Sequence, residues 1–409
     1  MSITLIVFLV VYLGMILGRL PGLKMDRASV ALGGAVVLLA AGKLDESAAL
    51  ASIDFSTLGM LFGLMLISVQ LQTAGFYAAI SGMVARLDTS PVLLLAILTA
   101  LVGLLSALLT NDVVAVAMTP VVLTIALRRG MNPLPFLLAI ALAANAGSVA
   151  TIIGSPQNML IAQRLDLSFG GYLQYALVPA LLSLAVVWAL LALVYRGRWL
   201  LDQKGDPQPD PSPAPSLDRW ETIKGLLVLL FILYAFVFTG WDRGMVATVA
   251  GVLMLFNARF VSRSMLERVD WDLLILFVGL FIVNGAFADA GYATQLVAWL
   301  QGVGIDLHNP DLLFAVSAVM SDIFSNVPTV MLLLPYAGHD PLSGPLMALG
   351  SGLASNLIII GSLANIIVVD AAAAKGFKIS FWDFAKVGVP VSVITLAIAY
   401  LWVLLVAAF

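Results

Sequence analysis

Apolar residues in this chain run in stretches long enough to cross a bilayer, while polar residues collect in short phrases that recur. In the first half the apolar stretches lie near 3–19, 29–42, 56–73 and 172–195; in the second they lie near 223–240, 244–258, 271–288 and 386–408. Each predicts a membrane-spanning helix. Between them, Leu109-Thr110-Asn111-Asp112 is followed by Thr119-Pro120, and Phe324-Ser325-Asn326-Val327 by Pro335, with one spacing from asparagine to proline. Further on, Gly154-Ser155-Pro156-Gln157-Asn158 is matched by Gly361-Ser362-Leu363-Ala364-Asn365. Upstream, Asp54, Gly63 and Gly75 recur as Asp270, Gly279 and Gly291, all at a separation of 216. Two half-chains with polar, helix-breaking residues deep in apolar sequence predict two repeats with a site where they meet.

The regions around the repeated phrases do not read as ordinary spans. The run from Val327 to Pro335 rises only ~14 Å as a helix, less than half the ~30 Å apolar thickness. Residues 310–337 are therefore expected to form a re-entrant hairpin with its tip at Ser325-Asn326-Val327-Pro328, and 91–127 its partner with a tip at Thr110-Asn111-Asp112. Pro328 is expected to keep Asn326-Val327 out of the helix. The runs at 133–163 and 346–374 are too long for one straight span, so each is expected to break at its Gly-Ser phrase. The second break is the harder to read, because it lacks a proline. Backbone freed at membrane depth is tolerated only where protein or a water-filled cavity satisfies it. The four interrupted elements should thus converge on a polar cavity, with half-helix N-termini suited to an anion or a polarised oxygen. A bland reading stands beside this one: asparagines act as interhelical glue and Gly-Ser pairs as close-packing positions. Asp54 and Asp270 read as helix starts.

Composition narrows the class. The chain is 62% hydrophobic and 11% charged over 409 residues, against roughly a quarter charged in soluble domains. That predicts an all-α polytopic membrane protein of about ten spans, two re-entrant hairpins and two broken helices. With no cysteine and two histidines, His308 and His339, neither a thiolate nor an imidazole metal site is expected. The stretch Met1–Leu20 lacks a basic leading region and a small-residue cleavage site, so it reads as the first span rather than a removed signal. Asp206-Pro207-Gln208-Pro209-Asp210-Pro211 marks a proline-rich linker. The domains expected are 1–196, a linker at 197–221, and 222–409.

Charge then supplies orientation. Alternate counting places Arg19, Lys24, Arg27, Arg86, Arg128, Arg129, Arg196, Arg198, Lys204, Arg219, Lys224, Arg259, Arg263, Arg268, Lys375, Lys378 and Lys386 on one side, leaving Lys43, Arg164 and Arg243 on the other. By the positive-inside rule the richer side is cytoplasmic. The linker is then cytoplasmic, both termini are external, and the second repeat is inverted relative to the first, in the cell's inner membrane.

Ionisable groups at membrane depth are expensive and point to function. Asp112 stands at the first tip, and Asp322 one helical turn before Asn326. Asp289 and Asp370 lie near helix ends. Asp112 matches Val327 in the other repeat, and Asp322 matches Ala107, so the asparagines obey the repeat and the carboxylates do not. The symmetric residues are expected to shape the site and the acids to carry a coupling proton or cation. No intramembrane lysine or arginine is expected as a fixed counter-charge.

At these residues the chain resembles the ion transporter superfamily, which groups arsenite permeases, sodium/proton antiporters, citrate carriers and divalent-anion symporters. Thr110-Asn111-Asp112 through Thr119-Pro120 resembles the first-half pattern of arsenite permeases, and Asn326-Val327-Pro328-Thr329-Val330 their second-half pattern. Gly361-Ser362-Leu363-Ala364-Asn365 is similar to a segment found across the group. The resemblance spans both repeats and implies ten spans plus two hairpins, with the site between tips and broken helices. The divalent-anion symporters carry Ser-Asn-Thr at each tip, where this chain has Thr-Asn-Asp and Ser-Asn-Val.

The expected function is secondary transport by alternating access, driven by a proton or sodium gradient without a cofactor. The first choice is proton-coupled efflux of arsenite, antimonite or a related small oxyanion. The alternatives are a sodium- or proton-coupled carboxylate or inorganic-anion carrier, or a sodium/proton antiporter. The substrate-binding set is Thr110, Asn111, Gly154, Ser155, Asn158, Ser325, Asn326, Thr329, Gly361, Ser362 and Asn365, with Asp112 and Asp322 coupling. An enzyme is not expected, since no nucleophile–base pair or metal-ligand cluster is present. The partners expected are a small anion or neutral oxyacid and the lipid bilayer, and no nucleic acid. A transport ATPase subunit and the oligomeric state are left open.

Overall fold

The computed structural model describes residues 2–18, 24–85, 87–200, 217–338 and 340–408. Among them are twenty α-helices in two matched sets of ten. In the first repeat, Ile3–Leu17, Arg27–Ala40, Glu46–Ser52, Phe55–Thr73 and Phe76–Ala85 precede a hairpin of Pro91–Leu108 and Asn111–Arg128. A broken helix, Leu134–Ser148 and Pro156–Arg164, and a long helix, Phe169–Val194, complete it. The second repeat follows the same order: Arg219–Phe238, Arg243–Leu253, Ser262–Leu266, Trp271–Asp289 and Tyr292–Gly302. Its hairpin is Pro310–Phe324 and Asn326–Leu333, its broken helix Ser343–Ala354 and Leu363–Ala374, and its last helix Phe381–Ala407. No strand occurs among the described residues, and a lone bridge joins Met131 to Leu200. Seven of the helices are long and apolar enough to cross a membrane, and the chain is a multi-pass membrane protein.

Of the linker expected at 197–221, residues 201–216 lie outside the described residues, and Asp218 caps the helix that begins at Arg219. Arg19, Arg86, Lys204 and His339 also lie outside them.

The matched residues hold the two repeats in register. Asp54 and Asp270 are N-caps, accepting from the N–H of Thr57 at 2.9 Å and of Leu273 at 3.0 Å. Each satisfies an amide that a helix start leaves unpaired. Gly75 and Gly291 take φ of 79° and 75°, a left-handed turn that glycine adopts without strain. Gly63 lies against the backbone of Ala247, and Gly279 against that of Ala31. Phe55–Thr73 therefore packs backbone to backbone on Arg243–Leu253 of the other repeat, and Trp271–Asp289 on Arg27–Ala40. Lipid tails are as apolar as leucine, so such contacts rely on close packing rather than on exclusion of water.

Both breaks occur. The first leaves 149–155 outside helix and restarts with Pro156 at the first position, where a missing N–H costs nothing. The second leaves 355–362 outside α-helix without any proline. The second hairpin departs from expectation at its tip. Asn326, Val327 and Pro328 are helical, because a proline in the first turn removes a donor that has no intrahelical partner anyway. The turn falls on Ser325 instead, with φ 72° and ψ 161°. That is a costly conformation for a residue with a Cβ and is held by its surroundings.

A Cβ at Gly63 or Gly279 would strike backbone, whereas one at Gly82 would meet open space. Gly63→Ala and Gly279→Ala are each expected to lower stability by ~1–3 kcal/mol. Gly82→Ala should raise it slightly through helix propensity. Thermal unfolding in detergent checks all three, and equal melting temperatures would contradict the packing.

Candidate functional site

A cavity of about 850 Å³ extends from the hairpin tips to the ends of helices that carry Gly18, Asp26, Arg27 and Asp370. Its inner wall includes Asn111 and Asp112 from the first tip, Ser325, Asn326, Val327 and Pro328 from the second, and Ser362 from the second break. Asp270 and Asp272 line it further out. The lining thus holds five carboxylates, Asp26, Asp112, Asp270, Asp272 and Asp370, and one basic group, Arg27. Arg27 was not expected in the cavity wall; it is the first residue of the 14-residue helix Arg27–Ala40.

Behind this lining a chain of buried asparagines joins the interrupted elements. Asn145 Oδ1 accepts from Asn111 Nδ2 at 3.2 Å and from Ser362 Oγ at 2.9 Å. Asn145 Nδ2 donates to Oδ1 of Asn356 and of Asn365, both at 3.0 Å. One side chain of the first repeat therefore ties its own hairpin tip to the second repeat's break. Ser355 Oγ donates to Asn326 Oδ1 at 2.8 Å, so the second tip is tied in as well. The backbone N–H of Asn111 donates to the Gly154 carbonyl at 3.2 Å.

The matched asparagines of the Gly-Ser phrases do a different job. Asn158 Nδ2 donates to the carbonyls of Ser148 and Thr151 at 3.3 and 3.0 Å. Asn365 Nδ2 donates to those of Ser355 and Ile358 at 2.7 and 3.2 Å. In both repeats the side chain satisfies carbonyls that the break releases, which would otherwise be buried without a partner.

Of the residues singled out in the sequence, Asn111, Asp112, Ser325, Asn326 and Ser362 line the main cavity. Thr110 lines a smaller pocket beside Asp112. Gly154, Ser155, Asn158, Thr329, Gly361 and Asn365 are buried around the breaks and outside that lining. Thr110 Oγ1, Asn111 Oδ1, Ser155 Oγ, Asn158 Oδ1 and Thr329 Oγ1 are buried with no hydrogen-bond partner. Of these, Asn111 lines the main cavity and Thr110 the smaller pocket, where an unpaired polar atom suits a polar guest. Asp322 does not line the cavity; its Oδ1 is buried beside Gly361, whose lack of a Cβ makes room for it.

Asn145 and Asn356 were missed, because neither recurs. At the Gly-Ser spacing Asn145 matches Gly352, and Asn356 matches Val149. Those two also touch, Gly352 lying against the Val149 side chain. The same pair of positions is thus polar once and apolar once. The available signal was a lone amide in the apolar run Leu134–Ser148.

The opposite face carries polar contacts of its own. Arg164, at the end of the first broken helix, meets Asp54 at 2.9 Å. Its guanidinium also lies 5.7 Å from the centre of the Phe281 ring. Ser56 Oγ donates to Asp242 Oδ2 at 3.1 Å on the same face.

Known proteins share this plan. A family model described as citrate transporter matches residues 11–345. A 46 kDa membrane protein of Mycobacterium leprae is 32% identical over 374 residues, covering 86% of each chain. A silicon efflux transporter of Oryza sativa subsp. japonica is 26% identical over 450 residues, covering 92% of each. The solved YdaH transporter of Alcanivorax borkumensis has the same fold, with a TM-score of 0.55 and 14% identity over 98% of this chain and 95% of that one.

Asn158→Leu and Asn365→Leu each leave two carbonyls at a break without their amide donor. Each substitution is expected to cost ~2–6 kcal/mol, at ~1–3 kcal/mol per orphaned group. A melting temperature unchanged from wild type for either variant would contradict the role assigned to these amides.

Proposed function

This chain belongs to the citrate transporter family, whose members are transporters and not enzymes, and we propose that it exports a small uncharged oxyacid in exchange for protons. Arsenous acid is the first choice, with antimonous and silicic acids as close relatives. The observation that carries this is the lining of the cavity: amides and hydroxyls at the tips, five carboxylates and a single arginine. Two like unit charges ~8 Å apart repel by ~2 kcal/mol at an effective dielectric constant of ~20. A citrate trianion facing several such groups meets that penalty many times over. A neutral hydroxy acid meets none of it and finds donors and acceptors in Asn111, Asn326, Ser325 and Ser362.

The silicon efflux activity in the name of the Oryza relative concerns an oxyacid that is also neutral near pH 7. In this reading the protein sits in the cell's inner membrane with both termini outside, and the cavity faces the cytoplasm, where the substrate is collected. Asp112 carries the exchanged proton, and Asp322 assists from behind the second break. Absence of cysteine suits turnover, since thiolates would hold trivalent arsenic too tightly to release it.

Inside-out vesicles acidified within are expected to accumulate arsenite, and Asp112→Asn is expected to reduce that accumulation ~10-fold or more while leaving the protein folded. Vesicles that accumulate citrate but not arsenite would overturn the substrate. Wild-type accumulation by Asp112→Asn would overturn the role of Asp112.

A further inference from the structure

Beside the main cavity lies a smaller one of about 40 Å³, where the first hairpin tip meets the start of Trp271–Asp289. Thr110, Asp112, Arg268 and Asp270 line it. Thr110 is 2% exposed, and its Oγ1 has no hydrogen-bond partner. Asp270 commits Oδ1 to the Leu273 N–H, which leaves its second oxygen for the pocket. Among the described residues neither carboxylate has an ion pair and Arg268 has no carboxylate within ion-pair distance. The other charged groups facing this region are Asp272 on the same helix, Asp26 and Arg27 at the start of the helix packed beside it, and Asp370 on the second broken helix.

The inverted copy of this corner shows what is unusual about it. Asp54 is the counterpart of Asp270, and it is neutralised by Arg164 at 2.9 Å on the opposite face. At the Gly-Ser spacing the counterpart of Arg164 is Ala371, next to the acidic Asp370. The counterpart of Asp112 is Val327. The opposite face therefore joins a carboxylate to a cation in an ion pair, whereas the open face sets two carboxylates around one pocket with an Arg268 that forms no ion pair with them among the described residues. Asp112, on a hairpin, and Asp270, on a helix packed against Arg27–Ala40, line one pocket, so a closure that narrows this pocket would press them together. Two unprotonated carboxylates resist that approach, whereas a pair sharing one proton can form a charge-assisted O–H···O bond.

We propose that Asp112 and Asp270 form one proton-binding site spanning the two repeats, and that the cavity closes only with a proton or the oxyacid held between them. In the exchange the proton arrives from the outer side and leaves to cavity water, and the oxyacid's O–H groups then take its place between the two carboxylates, within reach of the Thr110 hydroxyl. This rests on the proton-coupled reading above and adds to it a second carboxylate, from the other repeat. It also makes the empty pair the device that holds the cavity open.

The chain has no cysteine, so a single Ile366→Cys in the cavity wall reports access to a membrane-impermeant maleimide in inside-out vesicles. Rates are divided by those of Lys375→Cys on the same face, which removes the thiol's own titration. Acidification is expected to slow labelling at position 366 by ~5-fold. Asp270→Asn and Asp112→Asn should each abolish that response, and Asp270→Glu should keep it. Asparagine caps a helix as well as aspartate, so Asp270→Asn should melt near the background protein. A wild-type pH response in either asparagine variant, or none in the background, overturns the shared site. If labelling follows pH as expected but no oxyacid is carried, the substrate reading falls and the pair stands. If oxyacid moves with protons while Asp270→Asn still tracks pH, the pair falls and the substrate reading stands.

Discussion

A helix interrupted inside a bilayer releases carbonyls that have no water to turn to, and the rest of this molecule is arranged around satisfying them. Asn158 and Asn365 do so in the two repeats with the same pair of bonds, to Ser148 and Thr151 and to Ser355 and Ile358. Once those carbonyls are held, the breaks can persist at depth, and hairpin tips can dock on them. The Asn111 N–H on the Gly154 carbonyl and Ser355 Oγ on Asn326 are the docking bonds. The polar cavity follows, because the tips and the second break bring their unpaired groups to one level.

Geometry obeys the duplication and chemistry departs from it. Caps, glycine contacts, left-handed turns and the break asparagines recur in both halves. Asn145, Asn356, Asp112 and Arg164 each have a partner position occupied by Gly352, Val149, Val327 and Ala371. An inverted repeat with identical charges on both faces would give its two open states similar energies. Here one face carries an arginine–aspartate pair and the other gathers acids, so ions or protons can bias the two states differently, as coupling requires.

Much of this was legible because duplication turns a single sequence into a comparison with itself. Asp54 with Asp270 and Gly63 with Gly279 stood out by spacing alone, and they proved to be the caps and close contacts that align the repeats. Asn145 escaped the same logic, since it matches a glycine, and yet it joins more of the site than any other side chain. Pro328 misled because a proline forbidden in a helix interior is harmless in its first turn. The short helices Glu46–Ser52, Phe76–Ala85, Ser262–Leu266 and Tyr292–Gly302 were not read at all; they are too brief for a span, and their placement depends on packing that periodicity does not encode. Arg27 in the cavity wall likewise needed the packing of its helix, not just its sequence.

The central claim is that this cavity takes an uncharged oxyacid and rejects a polycarboxylate. Melting of the purified protein, with and without sodium, tests it most directly. A ligand that binds only the folded state at ~100 times its Kd stabilises by ~2.7 kcal/mol. Arsenous or silicic acid is expected to raise the melting temperature accordingly without need of sodium, and citrate to leave it unchanged. A rise with citrate and none with either oxyacid would contradict the account.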